Sequence, residues 1–289
     1  MLQRCRTFMF DLDGTLWTPS GVIPGAIELV SYLKESGRQC LLITNNSSKS
    51  IDQNYEKCRK LGLPVDKSDI ICTAAVAAYY LSKKGIRGPV YVLGREGLAS
   101  EFDKLGISYF GIGEESTTVF DFDPTALDNR TQAVLSGYDP YFNYTKLMKA
   151  ATLIGRGCPF YATNEDSRLP ASGYVLPGTG SLVAAVRVAS GKEPVVLGKP
   201  HKPIFDYIVE TRNINPEQTI MVGDRLDTDI AFGNNFGLYT AAVMTGVTDD
   251  GLLAKTRRTP GQANCVPDIV YPSVMDMYKQ LVDLDKNLY

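Results

Sequence analysis

The chain has 289 residues, of which 44% are hydrophobic and 21% charged, and its 30 basic and 32 acidic side chains give a net charge of −2. This composition is typical of a globular protein with one large or two medium domains, and the lack of a basic excess argues against nucleic-acid binding. No apolar run reaches the roughly eighteen residues of a membrane-spanning helix, so we predict no membrane segment. Acidic residues interrupt the first apolar segment, and the six scattered cysteines form no Cys-x-x-Cys pair, so we expect a cytoplasmic protein with reduced thiols.

From the N-terminus, short apolar segments alternate with segments of helical periodicity, which predicts a mainly parallel α/β sheet. The first block predicts strands over 7–11, 40–44 and 70–73 and helices over 24–37, 51–61 and 74–83. The alternation restarts after about residue 86, with strands over 89–93, 107–110, 133–136 and 159–162 and helices over 96–105 and 144–153. The polar stretch 113–130 is too long for a simple connection, so we expect a surface excursion that includes an edge strand.

A third block begins near Pro194. It predicts strands over 195–197, 219–222, 239–243 and near 269, and helices over 203–211, 227–236 and 274–284. The segment 256–264 is polar and contains Pro and Gly, which predicts a loop.

The first strand runs directly into Asp11, skips one residue to Asp13, and breaks at Gly14. Burying an ionised carboxylate costs several kcal/mol unless it is paired, hydrogen-bonded or bound to metal. Two carboxylates at i and i+2 project the same way from an extended chain and repel each other, a problem that Mg²⁺ would relieve. A plain Asp/Gly turn after a strand is the alternative interpretation.

Three further polar clusters follow predicted strands: Thr44-Asn45-Asn46, Lys199 within Gly-Lys-Pro, and Gly223-Asp224 with Asp229 beyond. Because ligands of open parallel sheets bind at the carboxyl ends of the strands, these clusters are expected on one edge of the sheet. Each cluster alone is equally compatible with ordinary loop residues or, for the lysine, with a solvated surface side chain. Together they indicate an anion and a divalent metal.

In this order the four clusters resemble the four motifs of the haloacid dehalogenase-type phosphatases. The stretches 162–166, 177–181 and 223–230 resemble, more narrowly, the branch of phosphoglycolate, pyridoxal-phosphate and 4-nitrophenyl phosphatases. The resemblance covers essentially the whole chain. It implies an α/β fold with a Rossmann-like parallel-sheet core over 1–86 and 193–289 and an inserted α/β cap domain over 87–192.

The resemblance also implies the chemistry. Asp11 would be the nucleophile that forms an aspartyl-phosphate, and Asp13 the general acid and base. Mg²⁺ would bind the carboxylates of Asp11 and Asp224 and the backbone carbonyl of Asp13. Asp229 would lie behind these ligands, or would simply be an acid in the first turn of a helix.

Phosphate binding falls, by the same resemblance, to Thr44, to the amides around Asn45 and Asn46, and to Lys199, whose charge would offset that of nucleophile and phosphate. In the predicted cap, the loop 164–170 would set substrate specificity. Leu169 stands where the pyridoxal-phosphate enzymes tend to carry a histidine.

This departure favours a small carboxylated phosphomonoester such as 2-phosphoglycolate, with Arg168 contacting its carboxylate. An ion pair between Arg168 and Glu165 or Asp166 is an equal alternative. Pyridoxal 5′-phosphate phosphatase and broad 4-nitrophenyl phosphatase are the alternative activities.

Two other classes remain open, a phosphomutase and a non-catalytic metabolite-binding protein. A dinucleotide-binding oxidoreductase is disfavoured because no Gly-x-Gly-x-x-Gly follows the first strand. A single histidine argues against a His-based triad. The expected partner is a small phosphorylated metabolite, and the resemblance includes homodimers formed through the cap.

Overall fold

The computed structural model of the protein describes residues 1–169 and 173–286. Two compact units can be distinguished. The first comprises Met1–Thr44, Asn54–Ile71 and the described part of Ile208–Tyr289, and the second comprises Asn45–Gln53 and Cys72–Tyr207. The described helices are α1 (Ala26–Glu35), α2 (Ile51–Lys60), α3 (Thr73–Lys83), α4 (Glu96–Lys104), α5 (Tyr144–Gly155), α6 (Thr179–Ser190), α7 (Lys202–Arg212), α8 (Ala231–Asn235), α9 (Asp250–Arg258) and α10 (Val274–Lys286).

A six-stranded sheet forms the centre of the first unit. Its strands are β1 (Thr7–Phe10), β4 (Gln39–Thr44), β5 (Ile70–Cys72), β13 (Thr219–Gly223), β14 (Tyr239–Val243) and β15 (Ile269–Tyr271), and a small antiparallel hairpin is formed by β2 (Trp17–Thr18) and β3 (Gly21–Val22). The strand order is β15-β14-β13-β1-β4-β5. β1 is parallel to both of its neighbours, with Phe10 opposite Val222 and Leu42. Every residue of β1 is buried, as expected for a central parallel strand covered on both faces.

The second unit contains its own parallel sheet, in the order β12-β9-β8-β6-β7. Its strands are β6 (Val90–Leu93), β7 (Tyr109–Phe110), β8 (Ala133–Ser136), β9 (Phe160–Ala162) and β12 (Val195–Val196), and a separate antiparallel pair is formed by β10 (Arg168–Leu169) and β11 (Leu176–Pro177). Apolar side chains from the sheet pack with those of α5 and α6 in one core, which includes Leu93, Val134, Leu153 and Val183. The unit boundaries describe compactness alone, and the predicted cap boundaries at 86/87 and 192/193 stay a prediction.

The alternation of strands and helices predicted from sequence is found, with three corrections. The stretch 113–130 contains no strand, only a short 3-10 turn at Pro124–Ala126. The segment predicted as one helix over 227–236 is a π-helical turn, Leu226–Ile230, followed by the short α8. Separately from these corrections, the helix α6 was not predicted.

The third correction concerns the predicted loop at 256–264, whose first residues belong to α9. The Asp249 side chain caps this helix by accepting the backbone N–H of Leu252 at 2.7 Å. Acidic residues at the start of α9 and basic residues in its last turn stabilise the helix through its dipole. Only Leu253 and Thr256 of the helix are buried, so few apolar residues mark its inner face. Among the described residues, no helix is long and apolar enough to cross a membrane.

Candidate active site

The first strand delivers Asp11 to the carboxyl end of the central sheet. Phe8, Met9 and Phe10 are completely buried, and the chain continues straight into Asp11, whose backbone N–H donates to the carbonyl of Val222 at 2.9 Å. Burial of the apolar residues thus holds the strand in place, and the strand determines the position of Asp11, whose half-buried side chain follows it.

Three carboxylates meet at this end of the sheet. One oxygen from each of Asp11, Asp224 and Asp229 lies within 4.8 Å of the other two. Asp224 is 2% exposed and Asp229 is 1% exposed, so their mutual repulsion is poorly screened by water. A hard divalent cation prefers an all-oxygen donor set of this kind, so the residues fit Mg²⁺.

The Asp224 carboxylate is held from several sides. Its Oδ2 accepts the backbone N–H of Val247 at 2.7 Å, and its backbone carbonyl accepts the hydroxyl of Thr248 at 2.6 Å. Two glycines leave room for it, because a Cβ at Gly14 would lie 2.6 Å from Oδ2 and one at Gly246 only 1.9 Å away. Glycine at these two positions therefore leaves the space that the Asp224 carboxylate occupies.

Asp229 reaches the cluster from the π-helical turn Leu226–Ile230. Its Oδ2 accepts the backbone N–H of Arg225 at 3.1 Å. A Cβ at Gly223 would lie 2.3 Å from Asp229, so this close packing requires glycine. Asp229 lies in the first turn of this helix and beside the other two carboxylates, and its role toward a metal stays a prediction. Single π-helical turns occur frequently at functional sites.

Asp13 lies outside this cluster and has different partners. Its Oδ1 accepts the indole N–H of Trp17 at 2.7 Å, and the ammonium of Lys57 lies 3.5 Å from the same oxygen. The side chain is 36% exposed. Sequence analysis missed both partners. Trp17 lies only four residues after Asp13, so its proximity could have been inferred from the motif. Nothing in the sequence connects Lys57 with Asp13.

Thr44 ends β4, the neighbour of β1, and is 3% exposed. Asn45 follows it directly in the chain and belongs to the second unit, where it holds Lys199. Asn45 Oδ1 accepts the backbone N–H of Lys199 at 2.8 Å, and Asn45 Nδ2 donates to the Lys199 carbonyl and to Asp166 Oδ2, both at 3.0 Å. The Asn45 side-chain amide is therefore occupied in fixing the Lys199 backbone. Sequence analysis placed Asp166 in the loop 164–170 but missed its contact with Asn45; Asp166 is also hydrogen-bonded to the Asn164 amide.

Asn46 forms hydrogen bonds within its own turn. Its part in phosphate binding stays a prediction. Its side-chain oxygen accepts the backbone N–H of Ser48 at 2.9 Å and the Ser48 hydroxyl at 2.6 Å. These bonds form a side-chain-stabilised turn at the start of the second unit.

The predicted specificity loop is found in part. Arg168 and Leu169 form β10, where Leu169 is half-buried opposite Leu176 and Arg168 is exposed. Pro170 lies outside the described residues. Glu165 pairs with Arg187, and within residues 1–169 and 173–286 Arg168 makes no ion pair, so the alternative of a pair with Glu165 or Asp166 is not found.

The fold and the cluster define a class: an α/β protein with a candidate cation site at the carboxyl ends of adjacent central strands. Two family models match, the haloacid dehalogenase-like hydrolases over residues 8–108 and a HAD-hydrolase-like model over residues 196–277. The chain is 37% identical to the glycerol-3-phosphate phosphatase of Homo sapiens, over 97% of this chain and 92% of the relative. It belongs to the haloacid dehalogenase-like hydrolase family, as the motifs predicted.

Solved structures agree with this assignment. The 4-nitrophenylphosphatase of Thermotoga maritima superposes with a TM-score of 0.82 at 28% identity, over 96% of this chain and 98% of that one. A glycerol phosphate phosphatase of Mycobacterium tuberculosis, solved in complex with magnesium, has a TM-score of 0.80 at 29% identity, over 96% of this chain and 78% of that one. The predicted fold class is thereby confirmed.

Proposed function

We propose that this protein is a magnesium-dependent phosphatase that hydrolyses small phosphomonoesters through an aspartyl-phosphate on Asp11. The observation that carries the proposal is that the acidic residues have different surroundings. Asp11 converges with Asp224 and Asp229, whereas the carboxylate of Asp13 points to Trp17 and Lys57 instead. The relatives named as phosphatases support the same activity.

In the first step an oxygen of Asp11 attacks phosphorus, and the bond from phosphorus to the ester oxygen breaks. Asp13, as general acid, gives its proton to the departing alkoxide, which leaves as an alcohol. In the second step Asp13 takes a proton from a water molecule as that water attacks the phosphorus of the aspartyl-phosphate. Inorganic phosphate leaves, and Asp11 is regenerated as a carboxylate.

Asp11, Asp224 and the backbone carbonyl of Asp13 would hold Mg²⁺, and Asp229 would support them. Bound there, the cation offers its positive charge to the carboxylates and to the phosphoryl oxygens, which otherwise repel one another. The chain itself holds Asp224 in place through the Val247 N–H and the space left at Gly246.

The remaining phosphoryl contacts are assigned to Thr44, the backbone amides around Asn45 and Asn46, and Lys199. Lys199 is 2% exposed, and Asn45 bonds both its N–H and its carbonyl. A lysine whose backbone is fixed in this way supplies a point charge at a constant position within its unit. We assign substrate selection to the cap over residues 87–192.

For the substrate, we infer a small carboxylated phosphomonoester of the 2-phosphoglycolate type. The exposed guanidinium of Arg168, which has no ion pair within the described residues, supports this choice because guanidinium groups bind carboxylates through paired hydrogen bonds. Glycerol 3-phosphate is the second candidate, favoured by the names of the human and mycobacterial relatives, which are glycerol phosphate phosphatases.

The activity is tested by Asp11→Asn, assayed with 4-nitrophenyl phosphate in the presence and absence of Mg²⁺. Losing the nucleophile should reduce turnover at least about 10⁴-fold while leaving the melting temperature nearly unchanged. Asp250→Asn, which changes an exposed acid on α9, is the matched control and should keep wild-type turnover. If Asp11→Asn retains a tenth of the wild-type rate, the nucleophile assignment is wrong. Release of free phosphate in proportion to substrate consumed separates a phosphatase from a phosphomutase.

The substrate is tested by comparing kcat/KM for 2-phosphoglycolate, glycerol 3-phosphate and pyridoxal 5′-phosphate in wild type and in Arg168→Met. If Arg168 binds a carboxylate, the substitution lowers kcat/KM for 2-phosphoglycolate by about tenfold or more and leaves glycerol 3-phosphate nearly unaffected. A wild-type enzyme that prefers glycerol 3-phosphate and is indifferent to the substitution would instead establish the second candidate.

A further inference from the structure

We propose that Trp17 and Lys57 are positioning residues for proton transfer, because together they hold Oδ1 of Asp13 and leave Oδ2 to exchange the proton. The inference rests on the proposed function, since it concerns the residue assigned as general acid and base. Both partners lie in the same unit as Asp13.

The indole is a rigid donor. Trp17 is 1% exposed and lies in β2, where it is paired with Val22. The backbone carbonyl of Trp17 accepts the backbone N–H of Gly14 at 2.7 Å, and the backbone N–H of Trp17 donates to the carbonyl of Leu12 at 3.2 Å. The turn that carries Asp13 is therefore closed by Trp17 itself, so the bond from Nε1 to Oδ1 at 2.7 Å does not depend on a mobile side chain.

Lys57 adds an ion-pair contact from a distant part of the chain. Its Nζ lies 3.5 Å from Asp13 Oδ1 and 4.1 Å from the centroid of the Trp17 ring. A cation over an indole face is attracted by the π-electrons of the ring. The ammonium is thus held against the indole as well as against the carboxylate, and the three side chains form one contact group.

The indole N–H and the ammonium act on the same carboxylate oxygen. Within the described parts of the chain, Oδ2 of Asp13 has no hydrogen-bond partner, and the side chain as a whole is 36% exposed. Rotation of the carboxyl group would break the indole bond and separate Oδ1 from the ammonium. The proton that the general acid gives and takes is therefore confined to Oδ2, at a direction fixed by Trp17 and Lys57. Small errors in such positioning reduce rates strongly.

The test compares two leaving groups. 4-Nitrophenolate departs readily as an anion, so its ester needs little help from a general acid, whereas the alkoxide of glycerol 3-phosphate must be protonated as it leaves. Trp17→Phe removes the indole N–H and keeps an aromatic ring in the buried position. We expect kcat/KM, which covers only the steps up to departure of the leaving group, to fall about tenfold with glycerol 3-phosphate, or with 2-phosphoglycolate if that is the alkyl ester that the wild type hydrolyses, and no more than about twofold with 4-nitrophenyl phosphate. Asp13→Asn should show the same selectivity with a larger loss.

Lys57→Met provides the second arm, and we expect about a threefold loss of kcat/KM confined to the alkyl ester. Lys60→Met is its control, because Lys60 is exposed on the same helix, α2, and within the described residues makes neither an ion pair with Asp13 nor a cation–π contact with Trp17. Equal losses on both substrates in Trp17→Phe would mean that the indole is merely structural and would overturn the inference, as would a Lys57→Met enzyme indistinguishable from Lys60→Met. If instead the wild type hydrolyses neither ester, or Asp11→Asn keeps its activity, it is the proposed function that fails.

Discussion

The substitution Gly246→Ala should weaken magnesium binding without altering any charge. The added Cβ would lie 1.9 Å from Oδ2 of Asp224 and 2.5 Å from its Cγ. Because ordinary non-bonded contact begins near 3.5 Å, the carboxylate has to retreat by more than about 1 Å. Gly246 is not among the glycines with a positive φ, so alanine brings no backbone strain of its own.

The retreat removes the hydrogen bond from the Val247 N–H to Asp224 Oδ2, now 2.7 Å long. Hydrogen bonds to charged groups contribute about 1.5–3 kcal/mol. If that energy is what holds the carboxylate in its place, the Mg²⁺ concentration for half-maximal activity should rise about 10- to 100-fold. Excess Mg²⁺ should restore most of the turnover.

The assay is a magnesium titration of 4-nitrophenyl phosphate hydrolysis, with the melting temperature of the metal-free protein measured alongside. Gly155→Ala, where a new Cβ meets nothing within 4 Å, is the control. An unchanged magnesium midpoint in Gly246→Ala would refute the reasoning that this glycine makes room for a metal ligand. A loss of activity that excess Mg²⁺ does not relieve would refute it equally.

Two predictions concern stability. Asp139→Asn leaves the ammonium of Lys146 buried at 1% exposure without its carboxylate partner, so the free energy of unfolding in urea should fall by about 3 kcal/mol. Asp206→Asn, which breaks an exposed ion pair, is the control and should lower it by less than about 1 kcal/mol. Similar losses in the two variants would contradict the argument from burial. For Asp285, burial acts to raise the pKa, but hydrogen bonds from Arg38 and a tyrosine hydroxyl outweigh it and lower the pKa below its ordinary value. Because a lowered carboxyl pKa stabilises the fold above the unfolded-state value near 4, Asp285→Asn should lower the melting temperature at pH 7, and the difference from wild type should shrink as the pH falls below about 4. A difference independent of pH would contradict the ion-pair explanation.

The sequence predicted the strands of the first sheet well, because each is a short apolar run, and β1, β4 and β13 lead into polar residues. Asp11 and Asp224 could be placed on one edge for the same reason, since β1 and β13 had to be buried parallel strands. The cluster that the structure contains follows from that topology. Local chemistry and one general property of α/β sheets were sufficient.

What the sequence could not predict depends on contacts between distant segments. The bonds from Asn45 to Lys199 and Asp166 join residues more than a hundred positions apart, and no local periodicity reports them. The position of Lys57 beside Asp13 is of the same kind. The helix α9 escaped prediction for the opposite reason, because its signal is local but lies mainly in the Asp249 cap and in charge placement, and few of its residues are apolar.

Trp17 is the one tryptophan in the chain, so under selective excitation the intrinsic fluorescence of the whole protein comes from a single indole. That indole donates to Asp13 and carries the Lys57 ammonium on its face. Its emission therefore reports the polarity beside the proposed acid–base residue, with no background from elsewhere. The binding of magnesium, phosphate or an intact ester could be followed at equilibrium without a label, including in Asp11→Asn, where turnover gives no signal.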